Sequence, residues 1–168
     1  MILRRETPGD VDIIRDLTAR AFHGHPYSDG SEPGIIDRLR DGGALTLSLV
    51  AEDGGVVAGH VAFSPVVIAD GTPGWFGLGP LSVDPARQRS GIGSALVRAG
   101  LRELQAVNAA GCVLAGDPDY YTRFGFKADG SLVYPGCAPQ YFLNLPLSGQ
   151  PASGIVAYHP AFTPGTPD

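Results

Sequence analysis

The residue types with the clearest chemistry fall between Leu78 and Leu96, in Leu78-Gly79-Pro80-Leu81-Ser82-Val83-Asp84-Pro85-Ala86-Arg87-Gln88-Arg89-Ser90-Gly91-Ile92-Gly93-Ser94-Ala95-Leu96. The stretch reads as a strand, a proline-started turn, two arginines and a glycine-bearing entry into a long helix. The first amides of a helix have no intrahelical acceptor, and the helix dipole adds partial positive charge there, so such a junction is a ready phosphate site. Glycines at 91 and 93 let a phosphate approach the backbone with no β-carbon in the way. Two phosphate-loop plans are excluded. A Walker loop needs GxxxxGK[ST], and no Lys stands in that place. A dinucleotide fingerprint needs GxGxxG, but its third glycine position is Leu96, and the preceding strands form an antiparallel meander rather than a βαβ unit.

The order Gln88-x-x-Gly91-x-Gly93 after a Val83-Asp84-Pro85 strand end, followed by Tyr120-Tyr121-Thr122-Arg123-Phe124-Gly125-Phe126 beyond the next strand, resembles the GNAT family of acyl-coenzyme A-dependent N-acyltransferases. The flanking elements agree from Ile2 to about Leu147. The wording of Gly59-His60-Val61-Ala62-Phe63-Ser64-Pro65, Leu78-Gly79-Pro80-Leu81 and Gly116-Asp117-Pro118 resembles a bacterial branch of N-acetyltransferases within it. The resemblance implies an α/β fold, with a mixed, mostly antiparallel sheet flanked by helices and a splayed parallel strand pair that admits acetyl-coenzyme A. It implies that amides of the loop Gln88, Arg89, Ser90, Gly91, Ile92 and Gly93 hold the coenzyme A pyrophosphate, with Arg87 or Arg89 available to phosphate oxygens and Ser94 also at the cofactor. Leu81, Ser82 and Val83 would lend backbone groups to the pantetheine arm, and Phe124 would lie against the cofactor. Tyr121 falls at the place of the family's general acid, which protonates the leaving thiolate. The implied reaction is direct transfer of acetyl to a primary amine, on a small molecule or peptide, in a ternary complex without a metal.

The strand Trp75 to Val83 carries no carboxylate, although many family members place a Glu there. Glu32, His60, Asp29, a water chain or an amine that binds already neutral therefore stand as alternatives for removing the acceptor's proton. A non-catalytic acyl-coenzyme A sensor on the same fold is the reading from another class. Tyr121 has a bland alternative as a core aromatic beside Phe124 and Phe126. His23 and His25 read as solvated loop residues, and Cys112 as a small core residue.

Positioning these groups requires a sequence of elements that the periodicity supplies. Ile2 to Arg5 predicts a strand, and Thr7-Pro8-Gly9-Asp10 opens an amphipathic helix bearing Val11, Ile14, Leu17, Ala21 and Phe22. A second helix is expected over Glu32 to Arg40. Leu45, Leu47 and Leu49 alternate with Thr46 and Ser48 as a half-buried strand, Asp53-Gly54-Gly55 turns the chain, and Val56 to Phe63 returns. Ser64-Pro65 is expected to bend or edge that strand before Val66-Val67-Ile68. Trp75 to Val83 completes the meander. Ser90 to Ala110 predicts the longest helix, with Gly111 as its stop, then a buried parallel strand Cys112 to Ala115, a short helix from Asp117 to Phe124 closed by Gly125, and a final strand Gln140 to Leu147.

The resemblance implies a single acetyltransferase domain over 1–147, with a Pro/Gly-rich C-terminal extension over 148–168 that packs on it or trails from it, and bulk composition agrees with one globular domain. Gly and Pro number 24 and 15 of 168 residues, but 43 % hydrophobic content and a net charge of −5 argue against disorder. The acidic balance excludes a broad nucleic-acid or anionic-membrane footprint. No apolar stretch is long enough for a membrane span. Two cysteines without CxxC spacing predict reduced thiols and a cytoplasmic location. The low charged fraction, 17 %, is compatible with a homodimer.

Overall fold

A computed structural model describes residues 1–148 and 151–163. Gly149, Gln150 and 164–168 of the expected extension lie outside the described residues. The chain divides into two compact units, Met1–Ser64 with Gly79–Leu101 and the residues from Pro160 on, and Pro65–Leu78 with Arg102–His159.

In the first unit β1 (Ile2–Arg5) pairs antiparallel with β2 (Leu47–Asp53), and β2 with the early part of β3 (Val56–Ile68). The later part of β4 (Trp75–Val83) follows β3 in the strand order. Helix α1 (Val11–Phe22) starts from a capping box in which Asp10 accepts from Thr7 N at 2.7 Å. Arg4 clamps the same carboxylate through two nitrogens at 2.7 and 3.0 Å, and holds it well below the usual carboxylate range. Ile14 and Leu17 of α1 and Ile36 of α2 (Glu32–Asp41) bury their apolar stripe with Val50 and Val57. Ile35 and Leu39 pack with Ala161, and Arg38 Nε donates to the Ala161 carbonyl at 3.0 Å.

β2 departs from the expected alternation, since Leu47 to Ala51 are all buried, Ser48 included. Its Ser48 looked outward-facing by type, but it faces a buried polar partner. β3 is continuous through Pro65, and its partner changes there: Val66 to Ile68 pair with β8 (Gly154–Tyr158) instead of β2. Proline cannot donate to a ladder, which suits it to the point where one partner ends.

In the second unit the early part of β4 pairs parallel with β5 (Gly111–Ala115), in the register Trp75 to Gly111 and Gly77 to Val113. β5 pairs antiparallel with β7 (Phe142–Pro146), and β6 (Leu132–Val133) pairs parallel with β8. The core gathers Trp75, Val113, Phe142 and Val156. Helix α3 (Ile92–Ala106) ends earlier than expected. Asn108 at φ 62° supplies the left-handed turn after it, and Gly111 is already inside β5. A Cβ at Gly111 would collide with the Trp75 ring, so packing rather than helix termination requires glycine there. β8 lies in the segment expected only as a Pro/Gly-rich extension, so the strand over 142–146 is not the last.

Candidate functional site

The loop after β4 is built by side chains that tie its first turn and leave its second open. Asp84 N donates to the Ala58 carbonyl at 2.8 Å, so β4 is held on β3 to its end. The Asp84 carboxylate caps the 3-10 turn Pro85–Arg87 by accepting from Ala86 N at 2.9 Å. It also meets Arg87 at 3.3 Å and Arg20 at 3.4 Å. Arg87 reaches Asp53 as well, at 3.7 Å, so its charge is shared between two carboxylates. Gln88 Nε2 donates to the Val83 carbonyl at 3.4 Å, and Ser90 Oγ donates to the Arg87 carbonyl at 2.5 Å.

Arg89 and Gly91 then adopt positive φ, 66° and 90°, and turn the chain into α3. Gln88, Arg89, Ser90 and Gly91 are exposed. A Cβ at Gly91 would meet no atom within 4 Å. The first helical bond is Ala95 N to the Gly91 carbonyl at 3.0 Å, so the amides of Ile92 and Gly93 precede the helical ladder. Amides ahead of the helical ladder, a helix dipole, no β-carbon at Gly91 and, in Arg89, an arginine in no carboxylate pair among the described residues together fit a diphosphate. Of the two arginines, Arg89 is the one left to an anion.

The second unit carries the aromatic segment. Asp117 accepts from Asp119 N at 2.9 Å to start α4 (Pro118–Tyr121), a 3-10 turn follows over Thr122–Phe124, and Gly125 at φ 100° closes it as expected. Tyr121 is half-buried, with its ring 4.9 Å from that of Tyr120, 6.2 Å from Phe124 and 6.1 Å from Phe126. Gly116 makes room for it, because a Cβ there would stand 2.7 Å from the Tyr121 ring. Its hydroxyl makes no hydrogen bond among the described residues. Burial first, then Tyr120 and Cys112, hold the phenol well above its ordinary value, so it remains a proton donor at any working pH.

The three alternatives for the base differ sharply. Asp29 is exposed, accepts from Ser31 N at 2.9 Å, and is held below its ordinary value by Ser31. Glu32 is bound by the Ser28 hydroxyl. These two belong to the turn that starts α2. His60 lies on β3 with no exposed surface, and its Nε2 is 2.7 Å from Ser48 Oγ. Ser48 Oγ donates in turn to Glu6, and Arg40 grips Glu6 at 2.9 and 3.0 Å. Glu6 and Ser48 escape sequence reasoning, because residues from β2, β3 and the segment after β1 carry no local spacing.

Burial pushes the His60 imidazole down to about 4; Glu6 and Asp10 pull it up and Arg40 pulls it down. The unfolded ring takes a proton near pH 6.5 that the folded ring refuses, so stability is complete above pH 6.5 and falls as pH drops toward 4. The gap corresponds to about 3 kcal/mol at full effect. Thermal melts across pH 7.5 to about 4.5 are expected to show this slope in the wild type and to lose most of it in His60→Gln, which keeps a polar partner for Ser48; parallel slopes would refute it.

His23 and His25 sit exposed in the loop after α1. Among the described residues no group of three His, Cys, Asp or Glu side chains could hold a metal ion.

The parallel β4–β5 pair, the glycine-bearing turn into α3 and the tyrosine after β5 are the features that carry the resemblance to an acyltransferase domain. Residues 45–128 match the model of the acetyltransferase (GNAT) domain, and the chain belongs to the GNAT acetyltransferase family. The uncharacterized N-acetyltransferase YhbS of Escherichia coli K12 is 37 % identical over 171 aligned residues, 96 % of this chain and 98 % of its own. The crystal structure of YhbS in complex with CoA superposes with a TM-score of 0.87 at 34 % identity, covering 98 % of this chain and 93 % of that one. A GNAT family acetyltransferase from Brucella melitensis, in complex with acetyl-CoA, is 50 % identical, with a TM-score of 0.85 over 96 % of this chain and 97 % of its own.

Proposed function

We propose that this protein transfers an acetyl group from acetyl-coenzyme A to a primary amine of a small molecule or peptide, within a ternary complex. The observation that carries the reading is the exposed cradle at Gly91, with open space where a Cβ would stand and the amides of Ile92 and Gly93 ahead of the helical ladder. Those amides, with Arg89, bind the pyrophosphate. Gln88, Ser90 and Ser94 shape the cradle, and Arg87 braces it through Asp84. Backbone groups of Leu81, Ser82 and Val83 orient the pantetheine arm, and Phe124 offers an apolar surface to it. When bound, the thioester supplies an electrophilic carbonyl carbon and a thiolate leaving group. An amide of β4 directed at the carbonyl oxygen stabilises the charge that develops there. Tyr121 holds the proton that the thiolate receives. Two free cysteines suit a cytoplasmic setting.

Calorimetric titration with acetyl-coenzyme A is expected to show saturable binding. A thiol reagent should then report coenzyme A release that depends on putrescine, tyramine, lysine or a dipeptide. Absence of binding would overturn the cofactor assignment. Binding with no amine-dependent release would instead mark an acyl-coenzyme A sensor.

A further inference from the structure

We propose that His60, Ser48 and Glu6 form a buried proton relay that carries the proton lost by the acceptor amine from the interior beside β4 to solvent at the far side of β2. The inference rests on the acetyl-transfer reading and names what replaces the carboxylate that β4 lacks.

The hydrogen bonds fix the direction of the chain. Ser48 has one hydroxyl proton and gives it to Glu6, so its contact with His60 Nε2 at 2.7 Å must be one in which the imidazole N–H donates. His60 is then the Nε2–H tautomer, and Nδ1 is a bare lone pair. That nitrogen is buried and has no partner among the described residues. Buried polar atoms left unpaired are few in native proteins, and each needs a reason.

The inner end lies beside the strand assigned to the pantetheine arm. Asp84 N bonds the Ala58 carbonyl, and the Ser82 carbonyl stands 3.3 Å from a Cβ built on Gly59, so Ser82 lies on the strand next to His60. Ser82 Oγ is also buried, with no partner among the described residues. A water shared between Ser82 Oγ and His60 Nδ1 would satisfy both and would give a proton its way in.

The outer end is open. Glu6, Arg40 and Ser48 line a surface cavity of about 280 Å³. Burial works to raise the Glu6 carboxyl, but hydrogen bonds from Arg40 and Ser48 outweigh it and hold the group below its ordinary value. Glu6 therefore returns a proton to solvent readily. The low basicity of His60 keeps the ring neutral between turnovers, so Nδ1 is empty when the amine arrives.

The transfer balances. One proton enters at Nδ1, the Nε2 proton passes to Ser48 Oγ, and the Ser48 proton passes to Glu6, which releases it into the cavity. The imidazole ends as the neutral Nδ1–H tautomer, and the start is restored when the Nδ1 proton returns inward to replace the one given to the leaving thiolate, while a solvent proton re-enters through Glu6 and Ser48 to Nε2. Because these side chains act through water and through one another, they are positioning residues rather than catalytic ones.

Long-range ¹H–¹⁵N spectra of the wild type are expected to show His60 protonated at Nε2 and bare at Nδ1; the opposite tautomer would overturn the relay. In the coenzyme-release assay, with whichever panel amine supports turnover, Ser48→Ala should slow release 10- to 100-fold and alter the solvent isotope effect. Acetyl-coenzyme A affinity should stay within twofold, and Ser48→Thr should restore the rate. Glu6→Gln should reproduce the loss, and serves if Ser48→Ala does not fold. An active wild type whose relay variants keep its rate and isotope effect would overturn the relay alone. A wild type that releases no coenzyme A with any amine would overturn the acetyl-transfer reading, and the relay with it.

Discussion

Gly91→Glu is expected to weaken acetyl-coenzyme A binding at least 100-fold by calorimetry while leaving the protein folded. Two effects act together. Gly91 sits at φ 90°, where an L side chain costs roughly 1–2 kcal/mol in distorting the loop or holding it strained. The new carboxylate would project where the pyrophosphate is to sit, and like charges at close range repel by further kcal/mol in a partly desolvated site. A hundredfold loss is about 2.7 kcal/mol, well within that combined range. The fold tolerates the change because the position is exposed and no atom lies within 4 Å of a Cβ built there. Gly91→Ala separates the two effects: it carries the strain without the charge and should cost about tenfold or less. Equal affinity in wild type and Gly91→Glu would remove the pyrophosphate from this loop, whatever else the protein binds.

The cradle was legible because its chemistry is local. Gln88, Gly91 and Gly93 lie within one turn of a helix start, and the demands of a phosphate on the backbone are written in that short spacing. The parallel strand Gly111–Ala115 was legible for a similar reason, as a short apolar run between two helical segments. What local pattern could not show was set by partners far along the chain. Ser48 looked like the outward half of an alternating strand, yet His60 from β3 and Glu6 after β1 turn it into the middle of a buried chain. Gly111 looked like a helix stop because nothing near it predicts the Trp75 ring against it, while the stop itself fell to Asn108, a residue that also tolerates left-handed backbone. β8 was invisible because Ile155, Val156 and Ala157 form too short a run among turn formers, and only its pairing with Val66 to Ile68 makes a strand of it.

Tyr121→Phe should lower the turnover of acetyl transfer about 100-fold and leave acetyl-coenzyme A affinity and thermal stability nearly unchanged. A positioned proton donor contributes about 10²–10⁴ in rate, and the phenylalanine ring removes only that donor. The ring contacts with Tyr120, Phe124 and Phe126 survive the substitution, as does the close approach to Gly116. Since the hydroxyl bonds nothing among the described residues, its loss breaks no structural hydrogen bond and leaves no group unsatisfied. The rate is therefore diagnostic: a packing role, which the phenylalanine ring keeps, would move neither the melt nor the rate, and a donor role moves only the rate. The phenol is held above its ordinary value by burial, so the wild-type rate should show no alkaline loss from Tyr121 below about pH 10, where an unperturbed phenol begins to ionise. Single-turnover measurements isolate the chemical step from coenzyme release. An unchanged single-turnover rate in Tyr121→Phe would return this residue to the core and require another donor for the leaving thiolate.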